Sequence, residues 1–426
     1  MHPIALLNFS TLELWLGGIV VLLLFVIWRL TQHQECGFLG EPEEGIENIL
    51  PAIAGLCHST VSEGNAVELI KGPDFFNRVI ADIEKASHSV HLETFLWQDG
   101  KASDRVIAAL CSAAARGVCV RIIADARGSS GLSSASREKL KGAGCHLHLF
   151  HPWRPMNLGR FNIRTHRKIV IIDGLIAYVG GHCITDAWLE ETDGKPAFRD
   201  LTARLEGAVV NQVQSTFGEN WTESECAPFA DKQCFPVHEK VGGAKAHVAS
   251  LRPDGCPSAV QVLYHLAIGT AGKSIYIQNP YFLPDPAGAE ALAKAARRGV
   301  DVRIMTPSVE STDSFFVTYA GHFHFERLLE AGVRIFEYQP TLLHQKTITV
   351  DGTWCGIGSA NFDDRSFEIN DEIVVGIAEP SIVADLERVF EQDSRDCVEI
   401  TLEKWRERSL FAKLRERLFY LFNEQF

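Results

Sequence analysis

The stretch from His166 to Gly174 reads HRKIVIIDG, and the stretch from His344 to Gly352 reads HQKTITVDG. Each stretch sets a histidine, a lysine and an aspartate at the spacing His-x-Lys-x4-Asp, with β-branched and apolar residues between the lysine and the aspartate. Such a run is typical of a buried β-strand. The two stretches therefore predict equivalent strands of a duplicated fold, each carrying the same polar residues.

The duplication extends along most of the chain, at a spacing of about 180 residues. Short segments rich in Val, Ile, Phe and Tyr alternate with segments of helical apolar spacing that end in glycine. Strands that alternate with helices in each half predict two tandem α/β sandwich domains related by a pseudo-two-fold axis. The further matched strand segments are 88–97 with 273–282, 116–125 with 298–307, and 143–150 with 331–338.

Changes in composition suggest where the domains begin and end. The region between the halves is rich in glycine, proline, alanine and polar residues, which is typical of a linker. The predicted boundaries are a membrane anchor at 1–35, a linker at 36–64, a first domain at 65–225, a second linker at 226–256, a second domain at 257–400 and an amphipathic basic helix at 401–426.

Residues 14–28 read LWLGGIVVLLLFVIW and carry no charge, and their length is close to the lower limit for a transmembrane helix. A cleaved signal peptide fits less well, because the start is not basic and no small-residue cleavage site follows. A buried core helix would carry polar positions on one face. Arg29 is the only lysine or arginine among the first 70 residues, so we expect a single-pass anchor in the inner (plasma) membrane with the catalytic domain in the cytoplasm.

The composition bears on which partners the protein can bind. The chain has 41 Lys and Arg against 54 Asp and Glu, a net charge of -13, which argues against a protein that holds nucleic acid through many phosphate contacts. An odd number of cysteines, 11, without a C-x-x-C pair indicates neither a disulfide framework nor a zinc ribbon and favours a reducing compartment. An anionic substrate would need a local basic patch, and residues 154–168 supply one with five basic residues and no acidic one.

The motif residues suit phosphoryl chemistry. Alternation along a strand puts His166 and Lys168 on one face and Arg167 on the other, and the same holds for His344 and Lys346. If the motifs meet, one imidazole can attack phosphorus while the other protonates the departing alkoxide, and the lysines neutralise the developing charge. This chemistry needs no metal and no other cofactor.

Further residues near the motifs are candidates for the same site. Asp173 and Asp351 would set the tautomers of the histidines if the chain returns them to the rings. A glycine-rich turn follows each motif, with small polar groups that suit phosphate oxygens. The phosphate-binding candidates are Gly180, Gly181 and Cys183 in the first half and Ser359 and Asn361 in the second; the supporting candidates are Arg164, Asn370 and Glu372.

Two pairs of histidines raise the alternative of a metal site. His146 and His148, and His322 and His324, each have an i, i+2 spacing. Neither pair has an evident third ligand nearby, and His148 has no counterpart in the other half. We therefore interpret them as surface or core histidines and predict no metal site.

Several stretches resemble the phospholipase D superfamily and, within it, the bacterial cardiolipin synthases. They are HLETFLW, THRKIVIIDG, PYFLPD and GSANFDDRSFEINDE, and the resemblance covers roughly residues 65–400. It implies a phosphatidyltransferase that acts on phosphatidylglycerol through a covalent phosphohistidine and releases glycerol. It also implies His166 as nucleophile and His344 as general acid, which motif symmetry alone does not assign. Cys183 stands where the family usually has asparagine, and a thiol is a weak donor.

A lipid substrate would place the protein at a membrane, where residues 154–168 would meet anionic head groups. The C-terminal stretch WRERSLFAKLRERLFYLF has two interpretations. Its apolar residues have helical spacing beside basic ones, which is typical of an interfacial helix, and the alternative is a helix packed on the domain. The apolar residues concerned are Leu410, Phe411, Leu414, Leu418 and Leu421.

The leading hypothesis is thus a membrane-anchored cardiolipin synthase that uses phosphatidylglycerol, alone or with a second phospholipid. A hydrolytic phospholipase D giving phosphatidate would share every motif residue. A nuclease of the same fold is disfavoured by the net charge of -13, and an inactive scaffold is disfavoured by two intact motifs. The donor and acceptor lipids and the oligomeric state stay open.

Overall fold

The computed structural model describes residues 15–23, 44–153, 162–191, 194–225, 229, 231–252 and 258–423. The chain divides into two compact units, Met1–Gly37 and Phe38–Phe426. In the first unit, residues 15–23 form helix α1, and the remaining residues of the predicted anchor lie outside the described ranges. Among the helices described, none combines the length and the apolar character that crossing a bilayer requires.

The second unit contains the predicted alternation of strands and helices. Its helices are α2 (Leu50–Leu56), α3 (Asp74–Lys85), α4 (Lys101–Ala115), α5 (Ser134–Gly142), α6 (Val209–Glu225), α7 (Ala259–Thr270), α8 (Pro286–Arg297), α9 (Phe315–Gly321), α10 (Phe325–Glu330), α11 (Pro380–Asp393), α12 (Leu402–Arg406) and α13 (Leu410–Tyr420). Its strands are β1 (Ser62–Lys71), β2 (Ser89–Thr94), β3 (Cys119–Asp125), β4 (His146–Phe150), β5 (Ile169–Ile172), β6 (Ile176–Gly180), β7 (Leu201–Glu206), β8 (Ala244–Leu251), β9 (Ser274–Gln278), β10 (Phe282–Leu283), β11 (Asp301–Pro307), β12 (Arg334–Tyr338), β13 (Thr347–Val350), β14 (Trp354–Gly358), β15 (Phe362–Asp363), β16 (Glu372–Ala378) and β17 (Cys397–Ile400).

The strand order confirms the duplicated mixed α/β fold. Strands β1 and β8 pair antiparallel at the centre. On one side the order continues β7-β6-β5-β2-β3-β4, and on the other it continues β16-β14-β13-β9-β11-β12, with β17 added at the outer edge. The last three strands of each series are parallel to one another, whereas the motif strands β5 and β13 each pair antiparallel with both neighbours. Each motif strand thus occupies the same place in its half.

The two halves share a hydrophobic core. Ile171 and Val179 of the first half cluster with Ile357 and Val375 of the second, and Phe217 of α6 closes the same cluster. All five side chains are buried. Because this core contains residues from both halves of the sheet, it fixes the two motif strands relative to each other.

Two predicted linkers prove to contain structured elements. The second linker, 226–256, includes β8, which pairs with β16 and with β1; its sequence AKAHVASL is rich in small residues, so composition hides the strand. The first linker, 36–64, includes α2, whose Leu50 and Ile53 pack in one core with Leu263 and Tyr264 of α7.

Arg167, the residue between the motif histidine and lysine, projects away from them and is fully buried. Its guanidinium donates to the carbonyl of Thr216 (2.7 Å) and to Glu219 on α6 (2.9 Å), and it also donates to the carbonyls of Leu251 (3.0 Å) and Glu372 (3.3 Å) in the second half. One cation therefore ties a helix of the first half to two strands of the second.

Replacing Arg167 by methionine removes this cation and leaves buried carbonyls and Glu219 without their donor. We expect Arg167→Met to lower the free energy of unfolding by about 3–5 kcal/mol, as measured by urea denaturation. The matched control is Gln345→Met at the equivalent position of the second motif, where a neutral amide donates to Asp393 (2.9 Å); about 1 kcal/mol is expected there. Equal losses would contradict a special role for the buried charge.

Candidate active site

The backbone brings the two motifs into one site. The amide of His166 donates to the carbonyl of Asp371 (2.9 Å), just before β16, and the amide of His344 donates to the carbonyl of Arg199 (2.8 Å), just before β7. Each motif histidine is thus attached to the chain of the opposite half. The exchange is reciprocal and follows the pseudo-two-fold relation of the sheet.

The side chains repeat this exchange. Nδ1 of His166 lies 2.8 Å from Oε1 of Glu372, and Nδ1 of His344 lies 2.8 Å from Oδ2 of Asp200. A carboxylate at Nδ1 accepts the proton of that nitrogen and leaves the lone pair of Nε2 available for chemistry. Each half therefore supplies the carboxylate that orients the other half's imidazole.

The two motif lysines are buried beside the rings. Nζ of Lys168 donates to the carbonyl of His166 (2.7 Å), and Nζ of Lys346 lies 3.0 Å from Nε2 of His344. The charge of Lys346 acts on His166 and that of Lys168 acts on His344, so the motifs share one electrostatic environment. This dense, buried cluster has the features of a catalytic centre.

Burial decides the protonation of this cluster. Burial and the charge of Lys168 lower the pKa of His166 to about 4, against a raising effect of Glu372. Burial with the charges of Lys346 and Lys168 holds the pKa of His344 well below its usual range, and burial lowers the pKa of Lys346 itself to about 7. Both imidazoles are consequently neutral at pH 7, the form that acts as a nucleophile or base.

The expectation that Asp173 and Asp351 orient the histidines is wrong. The Asp173 carboxylate accepts the amides of Ser87 (2.9 Å), His88 (2.7 Å) and Ser89 (2.9 Å) at the start of β2. The Asp351 carboxylate accepts the three equivalent amides at the start of β9, Gly272, Lys273 and Ser274. Both motif aspartates anchor a turn to a neighbouring strand.

The physical reason is the length of the strand between histidine and aspartate. Strand β5 spans four residues, about 13 Å at the usual rise, and carries Asp173 to the far end of the sheet. There Asp173 (φ 54°) and Gly174 (φ 65°) both have left-handed backbone, as the tight turn of a hairpin requires. The second motif repeats this turn with Asp351 (φ 56°) and Gly352 (φ 70°).

Glu372, predicted as a supporting residue, contacts His166 directly and is held by two serines. The hydroxyls of Ser359 and Ser366 both donate to its carboxylate. Burial would raise the pKa of Glu372, but the hydrogen bond from His166 and the charge of Lys168 bring it below the usual value. The prediction of Ser359 as a phosphate donor is therefore wrong, since its one hydroxyl proton is committed to Glu372.

Asp200 is the functional candidate that the sequence analysis missed. Strand register shows its equivalence to Glu372, because Gly180 pairs with Thr202 as Gly358 pairs with Val374. Asp200 also accepts Nε1–H of Trp188 (2.7 Å) and its pKa is raised by burial. The sequence did contain a signal for this role. An acidic residue stands at the start of the strand that follows each glycine-rich turn.

The glycines of the first turn serve packing instead of phosphate binding. A side chain at Gly180 would overlap the backbone of Leu201 and Thr202, and one at Gly181 would overlap the Asp200 carboxylate. The amide of Gly181 is moreover committed to the carbonyl of Leu201 (3.3 Å). These contacts give both glycines a packing role, and Gly181 in particular makes room for the missed carboxylate.

The remaining predicted residues divide between the site and its surroundings. Cys183 is buried near the charges of both motif lysines. Asn361 is buried, and its amide oxygen lacks a protein partner among the described residues. Arg164 lies 3.7 Å from Asp125 and donates to the carbonyl of His151, and Asn370 is buried beside the bridge to the first motif.

The basic stretch 154–168 does not form the predicted surface patch over the part that the structure describes. Arg164, Arg167 and Lys168 are all buried inside the fold, while residues 154–161 lie outside the described ranges. The reason is that the irregular segment before β5 enters the interior, where these cations meet buried carboxylates and carbonyls.

One histidine of each pair has a carboxylate partner. His148 contacts Glu225 and packs edge-on against Trp221, and His322 lies between Glu337 (3.4 Å) and Glu416 (3.8 Å). These contacts agree with their interpretation as core and surface histidines.

The contacts of Asp173 and Glu372 lead to opposite expectations for two isosteric changes. Asp173→Asn retains the left-handed turn but weakens three charge-assisted bonds, so we expect a loss of about 1–3 kcal/mol of stability with turnover of the folded protein nearly unchanged. Glu372→Gln should lower kcat by at least about 100-fold. Thermal unfolding and steady-state kinetics measure both, and a catalytic collapse in Asp173→Asn alone would refute these roles.

Comparison with known proteins places this geometry in context. Residues 79–194 and 265–394 match the family described as "Cardiolipin synthase, PLD-like domain". The chain is 33% identical over 375 residues to a cardiolipin synthase of Clostridium perfringens, covering 85% of this chain and 78% of that protein. It is 35% identical over 360 residues to a cardiolipin synthase of Listeria innocua, covering 84% and 74%.

A solved structure shows the same fold at low sequence identity. The crystal structure of phosphatidylserine synthase from Haemophilus influenzae superposes with a TM-score of 0.68 at 13% identity, covering 84% of this chain and 95% of that chain. The fold described above is therefore shared between proteins of widely different sequence.

Proposed function

Since this chain belongs to the cardiolipin synthase, PLD-like domain family, we propose that it is a phosphatidyltransferase that makes cardiolipin from two molecules of phosphatidylglycerol and releases glycerol. The observation that carries this proposal is the reciprocal pair of histidines, each oriented by a carboxylate of the opposite half at 2.8 Å. Such a pair supplies a nucleophile and an acid–base group to one phosphodiester.

The reaction proceeds in two displacements. Nε2 of His166 attacks phosphorus and the bond from phosphorus to the glycerol oxygen breaks, while His344 gives a proton to that oxygen. The product is glycerol and a phosphatidyl group covalently held on His166. A hydroxyl of a second phosphatidylglycerol then attacks phosphorus, His344 takes its proton, and the bond to His166 breaks to give cardiolipin.

The unequal carboxylates support His166 as the nucleophile. Glu372 has a lowered pKa and stays ionised, so it stabilises the positive charge that its imidazole gains on attack. Asp200 has a raised pKa because of burial and gives weaker electrostatic support to His344. The phosphodiester brings a negative charge between the rings, which raises the pKa of His344 and allows it to carry the proton.

The lysines and Asn361 complete the phosphate site. Lys168 and Lys346 are buried beside the rings, and a bound phosphodiester would favour their charged forms. Both then suit the non-bridging oxygens, where charge increases in the transition state. Asn361 is buried, and its side-chain oxygen has no acceptor role among the described residues. That oxygen suits the hydroxyl of a glycerol head group, and its amide group suits a phosphate oxygen.

The proposed location is the inner membrane. The apolar residues 14–28 support a single-pass anchor, and the tryptophans at positions 15 and 28 suit the two interfaces of a bilayer. We propose a cytoplasmic catalytic domain from the position of Arg29.

The first test identifies the products. Purified full-length protein is incubated with phosphatidylglycerol in detergent and EDTA, and the lipids are separated. We expect cardiolipin and glycerol in equal amounts, with no loss of rate in EDTA. Phosphatidate in place of cardiolipin would assign the protein as a hydrolase, and a requirement for metal would contradict the histidine mechanism. Asp173→Asn serves as an active control.

The second test separates the roles of the histidines. A phosphodiester with p-nitrophenol as leaving group needs no general acid, because p-nitrophenolate departs without protonation. We expect His344→Ala to release about one equivalent of p-nitrophenol in a burst and to retain the phosphoryl group on the protein. His166→Ala should give no burst. A burst in His166→Ala and none in His344→Ala would reverse the assignment.

A further inference from the structure

The C-terminal helix α13 is oriented with its polar side inward. Its one buried residue is Glu416. Leu410, Phe411, Leu414 and Leu418 are 85%, 74%, 65% and 54% exposed. A helix that merely packs on a domain buries its apolar stripe, so this helix resolves the two interpretations of the C-terminal stretch in an unexpected way: it packs on the domain and still presents its apolar face outward.

The exposed residues form one stripe with basic borders. At about 100° per residue, the exposed apolar positions fall within an arc of about 120°. Lys413 and Arg417 lie along one border of this arc and Arg415 lies along the other. The stripe consists of Leu410, Phe411, Leu414, Leu418, Leu421 and Phe422.

The opposite side of the helix is firmly attached to the domain. Glu416 accepts a hydrogen bond from Arg408 and lies 3.8 Å from Nδ1 of His322. Phe419 packs edge-on against Phe316 of α9, with ring centroids 5.1 Å apart, and Arg415 stacks over the ring of Tyr319 at 3.6 Å. These contacts fix the rotation of α13, so the outward stripe is a property of the fold.

Two exposed aromatic residues adjoin the domain-facing side of α13, and the chain after the helix is bonded to the segment that follows Asn361. Phe315 and Phe323 are exposed next to the helix, and Phe323 stacks on Tyr420 at 4.1 Å. Just beyond α13, Asn423 donates to Asp364 (2.8 Å), three residues after the phosphate-site candidate Asn361. We call the outward stripe of α13 the α13 platform.

We propose that the α13 platform docks into the surface of a bilayer rich in anionic lipids and thereby holds the catalytic domain at the membrane that contains its substrate. The proposal rests on the proposed function for the lipid substrate. An apolar arc with Lys413 and Arg417 along one border matches the junction of acyl chains and anionic head groups. On the other border Arg415 stacks on Tyr319 of the domain.

The test measures how deeply α13 enters the bilayer. Overall membrane binding would not be informative, because residues 14–28 are predicted to bind membranes on their own. Full-length Leu418→Trp is bound to vesicles of phosphatidylglycerol and phosphatidylethanolamine that carry bromine on the acyl chains. We expect the emission of the added indole, relative to the unsubstituted chain, to fall at least about twofold. The matched control is Leu175→Trp, a leucine of similar exposure (48%) in the β5–β6 turn, and it should show no added quenching.

Three results would overturn the proposal. The first is an unquenched indole at position 418 in vesicle-bound protein, and the second is protein that fails to bind the vesicles. The third is a lipid-free dimer that Leu414→Asp converts to monomer, which would assign the platform to a second copy of the chain. Quenching requires no turnover, so the two proposals can fail separately. Quenching without cardiolipin formation would refute the proposed function and leave this inference intact. Cardiolipin formation without quenching would refute this inference and leave the proposed function intact.

Discussion

The hydrogen bond between each motif histidine and a carboxylate of the opposite half is the interaction on which the site depends. The pairs His166–Glu372 and His344–Asp200 have equal lengths of 2.8 Å. They are reinforced by backbone bridges at the same places. Because neither half contains a complete pair, the shared core and the central β1–β8 pairing are prerequisites for chemistry as well as for stability. The active site is in effect the interface between two copies of one fold.

Duplication supplies the symmetry of this interface, and small substitutions break it. The second half has Ser359 and Glu372, and the serine donates to the longer carboxylate, whose pKa is lowered chiefly by His166 and Lys168. The first half has Gly181 and Asp200, where the absent side chain leaves room for the shorter carboxylate. The two imidazoles are chemically identical, but they have different surroundings because these two positions differ between the halves. This difference is the structural basis of the separate roles proposed above for the two histidines.

Local patterns were sufficient to predict the strands, the duplication and the motif histidines and lysines, because strand alternation depends on neighbouring residues. They failed where the outcome depended on pairing between distant strands. The position of Asp173 follows from the hairpin and the start of β2, and the equivalence of Asp200 with Glu372 follows from register. The alanine-rich segment of β8 is a strand because it pairs with β1 and β16. Arg164 and Arg167 are buried because they bond to distant segments of the chain, which composition does not reveal.

The crossed arrangement of the pairs has a consequence during synthesis. His166 leaves the ribosome 206 residues before its carboxylate partner Glu372, whereas the hairpin that begins with the His166 motif closes through a turn only a few residues long. The nascent chain therefore builds its local hairpins early and acquires a working imidazole only when nearly all of the second half has emerged. A truncated or stalled product would carry the motif without the carboxylate that orients its imidazole.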